Sequence, residues 1–174
     1  FTKDEYFLFV QELLAAENHV YLEMLDTIQE GMNRESCRTC RLQAMTEVLG
    51  ETVQAHAKIE EDFLFPALER HLDPDGPTDV MRREHELMDA HLTHILSIPD
   101  DNDEQARARV VNVLTHLVSI LRGHIEKEDG VLFPMARRIL MDETLEVMGA
   151  KAFESRHGWR RHRSPEPIAG EEDS

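Results

Sequence analysis

The sequence lacks most of the features that would mark it as a membrane, secreted or nucleic-acid-binding protein. Nowhere in its 174 residues is there a run of about eighteen apolar side chains, so no transmembrane segment is expected. Aromatics make up only 6% of the chain, which leaves Leu, Val, Ile, Ala and Met to fill a core. Eight Gly and seven Pro are too few for a succession of short strands and tight turns. The apolar residues recur instead at spacings of three and four, which signifies helices. Positive charge is also scarce: 19 basic side chains face 35 acidic ones, a formal net of −16. Such a surface repels nucleic acid and anionic lipid, and neither is expected as a partner. Only two cysteines occur, Cys37 and Cys40 in SCRTC. One C-x-x-C pair cannot complete a four-cysteine zinc site, and no strand precedes it as a thioredoxin-like motif requires. The simpler reading is an incidental pair at a helix start. With reduced thiols and no secretory-signal pattern in the opening FTKDEYF, a cytoplasmic location is expected.

What is present is helical periodicity with clear punctuation. The pattern predicts long helices over Lys3 to Glu30, Arg41 to His71, Pro77 to Ile98 and Glu104 to Phe133. Asp73-Pro74-Asp75-Gly76-Pro77 and Pro99-Asp100-Asp101-Asn102-Asp103 mark turns, and Gly130 and Pro134 should kink or end the fourth helix. A shorter fifth helix is expected near Glu143 to Glu154. The expectation is an all-α domain over residues 1–154, an up-down-up-down four-helix bundle with a short fifth C-terminal helix. Residues 155–174 read as a basic then acidic tail, expected to be disordered past Ser164.

Two stretches carry the chemistry. His56 to Leu68 reads HAKIEEDFLFPAL, and sixty-eight residues later His124 to Ala136 reads HIEKEDGVLFPMA. Both spell His-x-x-x-Glu-x-x-x-Leu-Phe-Pro. Residues four apart share a helix face, so His56 sits over Glu60 and His124 over Glu128. On the fourth helix Val113, Leu117, Ile120 and Leu121 form the apolar stripe, and His124 and Glu128 continue it at three and seven residues. Both groups should therefore point inward. A buried carboxylate costs several kcal/mol unless something neutralises it, and two beside histidines make a poor core unless cations fill the gap. His19 with Glu23 and His85 with Asp89 repeat the i, i+4 pattern on the other two helices. Four imidazoles and at least two carboxylates converging in a bundle suit two divalent first-row metals. The Glu-x-x-His plan of ferritin-like diiron bundles does not apply, because Ala16, Val53, Arg82 and Leu121 stand three before the histidines. His71, His91, His94 and His116 fall outside this register, and Phe65 and Phe133 should pack beyond the metals. Tyr21, two residues from His19, receives no role in this register.

On these motifs the sequence, from about Asp4 to Leu140, resembles the hemerythrin-like, or HHE cation-binding, family. The resemblance implies a four-helix bundle around two iron ions (Fe2+/Fe3+) bridged by two carboxylates and an oxo, hydroxo or water oxygen. By that resemblance His19 and His56 would serve one iron, His85 and His124 the other, with Glu60 and Glu128 bridging. The chain departs from the oxygen carriers of the family, which have a fifth histidine where Asp89 stands and a last acid five residues after the fourth-helix histidine. Asp129 has that spacing, but could reach the metal only through a local π-bulge. A four-histidine, two-glutamate set is similar to the branch containing the repair-of-iron-centres proteins. Counting ligands leaves one position open per iron unless Glu23 or Asp89 fills it; either acid could instead accept from an imidazole N–H. Three functions follow as expectations. One is a diiron protein that binds, and as a peroxide- or nitric-oxide-consuming oxidoreductase turns over, O2, nitric oxide or peroxide. The second is an iron- or oxygen-sensing module acting on a protein partner, and the third is a structural or zinc-holding bundle.

Overall fold

The computed structural model describes residues 9–73, 76–99 and 103–161, with side chains described as far as Ser155. The expectation of disorder past Ser164 lies outside the described residues. Among the described residues there is no strand, and no helix is long and apolar enough to cross a membrane. The described residues form seven α-helical segments: α1 (Val10–Asn33), α2 (Thr39–Ile59), α3 (Phe65–Leu68), α4 (Pro77–Ser97), α5 (Glu104–Lys127), α6 (Phe133–Ile139) and α7 (Asp142–Arg161). The chain does not leave the helix between α2 and α3, or between α5 and α6. Each junction is a π-helical turn, Glu60–Leu64 in the first case and Glu128–Leu132 in the second.

These turns explain the repeated motif. In both copies the glutamate opens the π-helical turn, the leucine closes it, and Phe-Pro starts the next α-helical segment. The Phe65 N–H donates to the Glu60 carbonyl and the Phe133 N–H to the Glu128 carbonyl, five residues back rather than four. Pro66 and Pro134 then fall in the first turn of an α-helical segment, where a missing N–H costs little. The fourth long helix was expected to kink or end near Phe133. It does not end there: a π-helical turn interrupts it at Glu128–Leu132, spanning Gly130, and the helix then runs on to Ile139 because the wider turn absorbs the proline.

Four long helices pack together: α1 against α2 and α5, α2 against α4 and α5, and α4 against α5. At the α2–α4 crossing Gly50 brings the backbones close; a methyl group there would meet Leu92 Cδ2 at 3.1 Å. Arg107 of α5 ties the α1–α2 connection down, donating to the carbonyls of Met32, Arg34 and Cys37 at 2.9, 3.0 and 3.2 Å. It thereby satisfies carbonyls that a helix end leaves without partners. Cys37 and Cys40, at the start of α2, are free thiols. The fifth helix is longer than the sequence suggested, and α7 lies along α1 with Leu145 and Ala152 fully buried.

The core is split in two. One apolar cluster contains Leu25, Leu49, Met88, Leu92, Leu117 and Leu121; the other contains Leu14, Ile59, Phe65, Met81, Leu132 and Leu145. On every long helix a polar residue stands between them: Asn18 on α1, His56 on α2, His85 on α4 and His124 on α5. With Glu60 and Glu128 these residues make a buried polar layer.

Candidate metal centre

Both glutamates are wholly buried, at 0% exposure, and the three histidines are between 2% and 6% exposed. One oxygen from Glu60, one from Glu128, and one ring nitrogen each from His85 and His124 lie within 4.8 Å of one another. His124 Nε2 is 2.6 Å from Glu128 Oε1, and His85 Nε2 is 3.2 Å from Glu60 Oε2. The two Nε2 atoms face each other at 3.1 Å. His56 approaches from the other side, its Nε2 3.7 Å from Glu128 Oε2 and 3.9 Å from Glu60 Oε2.

Each histidine is held by an acid on its outward side. The Nδ1–H of His56 donates to Glu17 at 2.9 Å, that of His85 to Glu61 at 2.8 Å, and that of His124 to Glu84 at 2.9 Å. An ionised carboxylate only accepts, so Nδ1 carries the proton and Nε2 is turned into the layer. This is the arrangement by which proteins aim imidazole at a metal and raise its basicity. Lys127 pairs with Glu84 and holds the last of the three acids in turn. Phe65 stacks on His85 at 5.8 Å and the Tyr21 ring meets His56 edge-on at 5.4 Å, so packing also fixes the rings.

Without a cation the layer is electrostatically costly. Burial pulls the His56 pKa down, but the close Glu128 carboxylate, the Glu17 carboxylate that accepts from Nδ1–H, and the charge of Glu60 override it and lift it to about 10. Burial also opposes protonation of His124, and Glu128 and Glu84 raise its pKa all the same. Glu60 is pushed up by burial and by the neighbouring Glu128 charge. For Glu128 burial works upward, yet His124 and His56 hold its carboxyl far below the usual range. His56 Nε2, both Glu60 oxygens and Glu128 Oε1 are buried with no hydrogen-bond partner, despite their proximity. Groups so placed need something else to satisfy them.

A divalent metal would do so. The His85 and His124 Nε2 atoms, 3.1 Å apart with their Nδ1–H groups turned outward, are close enough to be held by one ion. Imidazole and carboxylate together suit iron, manganese or zinc. The donor set and its orphaned atoms therefore fit a metal.

The structure brings together five of the six principal residues expected from sequence: His56, Glu60, His85, His124 and Glu128. It does not bring His19, which is exposed on the outer face of α1. The apolar stripe of α1 runs Val10, Leu14, Tyr21, Leu25, Ile28, and Asn18 is the residue that continues it. Asn18 is 1% exposed and donates to Glu128 Oε2 at 2.7 Å. His19 is one residue, about 100°, away from that face. Glu23 and Asp89 are likewise exposed, and Asp89 accepts from Gln54 at 3.0 Å. Asp129 is exposed too, although the π-helical turn is present. The turn begins at Glu128, so Glu128 faces the layer and Asp129 stays outside, accepting from Asn18 at 3.2 Å. Tyr21 belongs to the inner face, contrary to the register counted from His19, and its hydroxyl donates to the Thr52 carbonyl at 3.1 Å.

Sequence reasoning also missed Glu17, Glu61 and Glu84. Their only trace in the sequence is that each directly adjoins an inward residue (Asn18, Glu60 and His85), which many other acids of the chain match; the structure shows each reaching the histidine of a neighbouring helix. Beside His85 lies a cavity of about 240 Å³, whose walls include Val53, Gln54, Ala57, Met88 and Asp89.

Comparison with known proteins agrees with this chemistry. The sequence profile of the hemerythrin HHE cation binding domain matches residues 10–136. The chain is 32% identical over 97 residues to the iron-sulfur cluster repair protein YtfE of Escherichia coli O139:H28, covering 51% of this chain and 44% of that protein. The protein of the same name from Salmonella paratyphi B is 32% identical over 96 residues, 51% of this chain and 43% of that one. That of Shigella boydii serotype 18 is 32% identical over 97 residues, 51% and 44%. The chain thus spans less than half the length of these curated relatives. No solved structure gives a significant match.

Proposed function

The chain belongs to the hemerythrin HHE cation-binding family, and from that premise we propose that it is a non-haem diiron-carboxylate protein that binds and turns over small oxidants. The observation that carries this reading is the buried layer, in which three outwardly anchored imidazoles turn Nε2 toward two carboxylates of zero exposure. The curated relatives, named for iron-sulfur cluster repair, favour iron over zinc or manganese. The bundle is read as up-down-up-down, because the two apolar clusters occur in opposite order along successive long helices. A cytoplasmic site of action is part of the same proposal, resting on the free thiols.

Iron held here would supply one-electron chemistry and an open coordination position for O2, nitric oxide or peroxide. His56, His85 and His124 would hold it, with Glu60 and Glu128 shared between two ions. Glu128 is built for sharing, since Oε1 faces His124 while Oε2 faces Asn18 and His56. Glu17, Glu61 and Glu84 keep the imidazoles in the tautomer that donates outward. The apolar clusters on both sides exclude bulk water from the layer. The cavity beside His85 has room for a diatomic or a peroxide. A reduced, iron-loaded sample mixed separately with O2, nitric oxide and peroxide tests the reading. Rapid oxidation or adduct formation with one of them supports it; a sample that holds two irons and reacts with none removes the oxidant role.

A sensing role is the second reading. It is favoured by the docking of α7 on α1, the helix that carries Glu17 and Asn18. A change at the centre thereby has a route to the outer helix. Loss of metal that frees α7 to proteolysis, in a protein inert to all three oxidants, would favour it over turnover.

A further inference from the structure

The two ends of the polar layer are not alike. At one end stand two imidazoles, His85 and His124, each beside a glutamate oxygen. At the other stands one imidazole, His56, between Glu60 and Glu128. The fourth helix at that end, α1, contributes an amide. Asn18 is 1% exposed, lies between Leu14 of one apolar cluster and Tyr21 of the other, and meets the Glu128 Oε2 that faces His56. His19 cannot replace it without rotating α1 by about 100°, which would pull Leu14, Tyr21 and Leu25 out of the core. It stays on the outer face of α1, exposed to solvent.

We infer that Asn18 takes the place of a fourth imidazole, so that the centre has two unequal metal positions: a strong one at His85–His124 and a weaker one at His56–Asn18. This rests on the metal-binding reading above. An amide is a neutral, weakly basic donor; rotated by half a turn it offers Oδ1 in place of Nδ2 at the same point. A position with one imidazole, carboxylate oxygens and an amide oxygen is the harder of the two. It holds a soft or borderline divalent ion less tightly than a two-imidazole position. Loading is then sequential, and the weaker position is the one through which metal is exchanged.

Anaerobic titration of the metal-free protein with Co2+, followed by its visible spectrum and by calorimetry, tests this without any activity. The wild type should bind in two phases with dissociation constants at least tenfold apart. Asn18→His should tighten the second phase at least tenfold and leave the first within threefold. Asn18→Asp, which keeps the size of the native side chain, should also tighten the second phase and serves if the histidine does not fit. His19→Ala should change neither phase. Two equal phases in the wild type, or loss of a phase in His19→Ala, would overturn the asymmetry while leaving a metal site in place. A wild type that binds no Co2+ at all would overturn the metal reading itself.

Discussion

His56 is clamped between two helices: its Nδ1 donates to Glu17 of α1 at 2.9 Å, while its Nε2 faces Glu128 of the second π-helical turn at 3.7 Å. An imidazole between two carboxylates is a strong base, and its pKa stands at about 10 rather than 6.5 although burial alone would lower it. A raised folded-state value stabilises the metal-free protein below the unfolded pKa and is lost as pH rises through the folded one. His124 and Glu60, both raised, act in the same direction. Glu128 is lowered, so its contribution is present above the ordinary carboxylate range and is lost in acid. The metal-free protein should therefore be most stable between about pH 4.5 and 6.5 and lose on the order of a few kcal/mol by pH 10. Chemical denaturation across that range checks it; a flat profile from pH 6 to 10 would contradict the placement of His56.

The same proton must leave when metal arrives. At pH 8 metal binding should release at least one proton per His56, and calorimetry in two buffers of different ionisation enthalpy will count it. Chelation should accordingly lower the melting temperature more at neutral pH than in mild acid.

The inward face of α5 was legible because Val113, Leu117 and Leu121 set a stripe that His124 and Glu128 extend. On α1 the histidine drew attention away from the stripe. Counting from Leu14 to Leu25 by threes and fours leads to Asn18, a residue with no reputation as a ligand. Lengths were harder to read than faces. Gly130 and Pro134 signal a kink or an end, and the sequence does not distinguish the two, because a π-helical turn has no composition of its own and is recognised only by its hydrogen bonds. The anchoring acids were hidden for a different reason: Glu17, Glu61 and Glu84 act across helices, and in a chain with 35 acids spacing alone cannot single them out.

Neutralising the two buried carboxylates should have opposite effects on the metal-free fold. Glu60 is held up by burial and by its neighbour's charge, so Glu60→Gln should stabilise the metal-free protein by about 1–3 kcal/mol. Glu128 accepts from Asn18 and is drawn down by His124 and His56, so Glu128→Gln should destabilise it by about 1–3 kcal/mol. Both variants should lose metal affinity. Denaturation curves on the two stripped proteins decide the signs, and equal shifts would mean that the pair is symmetric.

Glu84 touches no other group of the layer than His124, and it is itself anchored by Lys127. Removing it frees the ring to turn. Glu84→Ala should weaken metal binding about 10–100-fold with little change in helicity. Competition against a chelator of known affinity measures this, with Glu86→Ala, on the exposed side of α4, as the control.

The cavity beside His85 gives the last prediction. Its walls include Ala57 and Val53 of α2 and Met88 of α4, and the Gln54–Asp89 hydrogen bond of 3.0 Å lies on the solvent side. Apolar clusters lie on both sides of the polar layer, and this cavity leads from solvent to His85 at the two-imidazole end of the centre. Ala57 is half-buried, and a larger side chain there projects into the cavity without entering the core. Ala57→Phe should slow the association of nitric oxide with the reduced, iron-loaded protein at least tenfold while iron content and melting temperature stay unchanged. Gln54→Ala, which opens the rim, should leave association unchanged or speed it. Stopped-flow mixing of the three proteins separates access from binding strength, because a blocked path slows association and dissociation alike and leaves their ratio near the wild-type value. If Ala57→Phe binds nitric oxide as fast as the wild type, the ligand reaches the centre by another path and this cavity has no part in it.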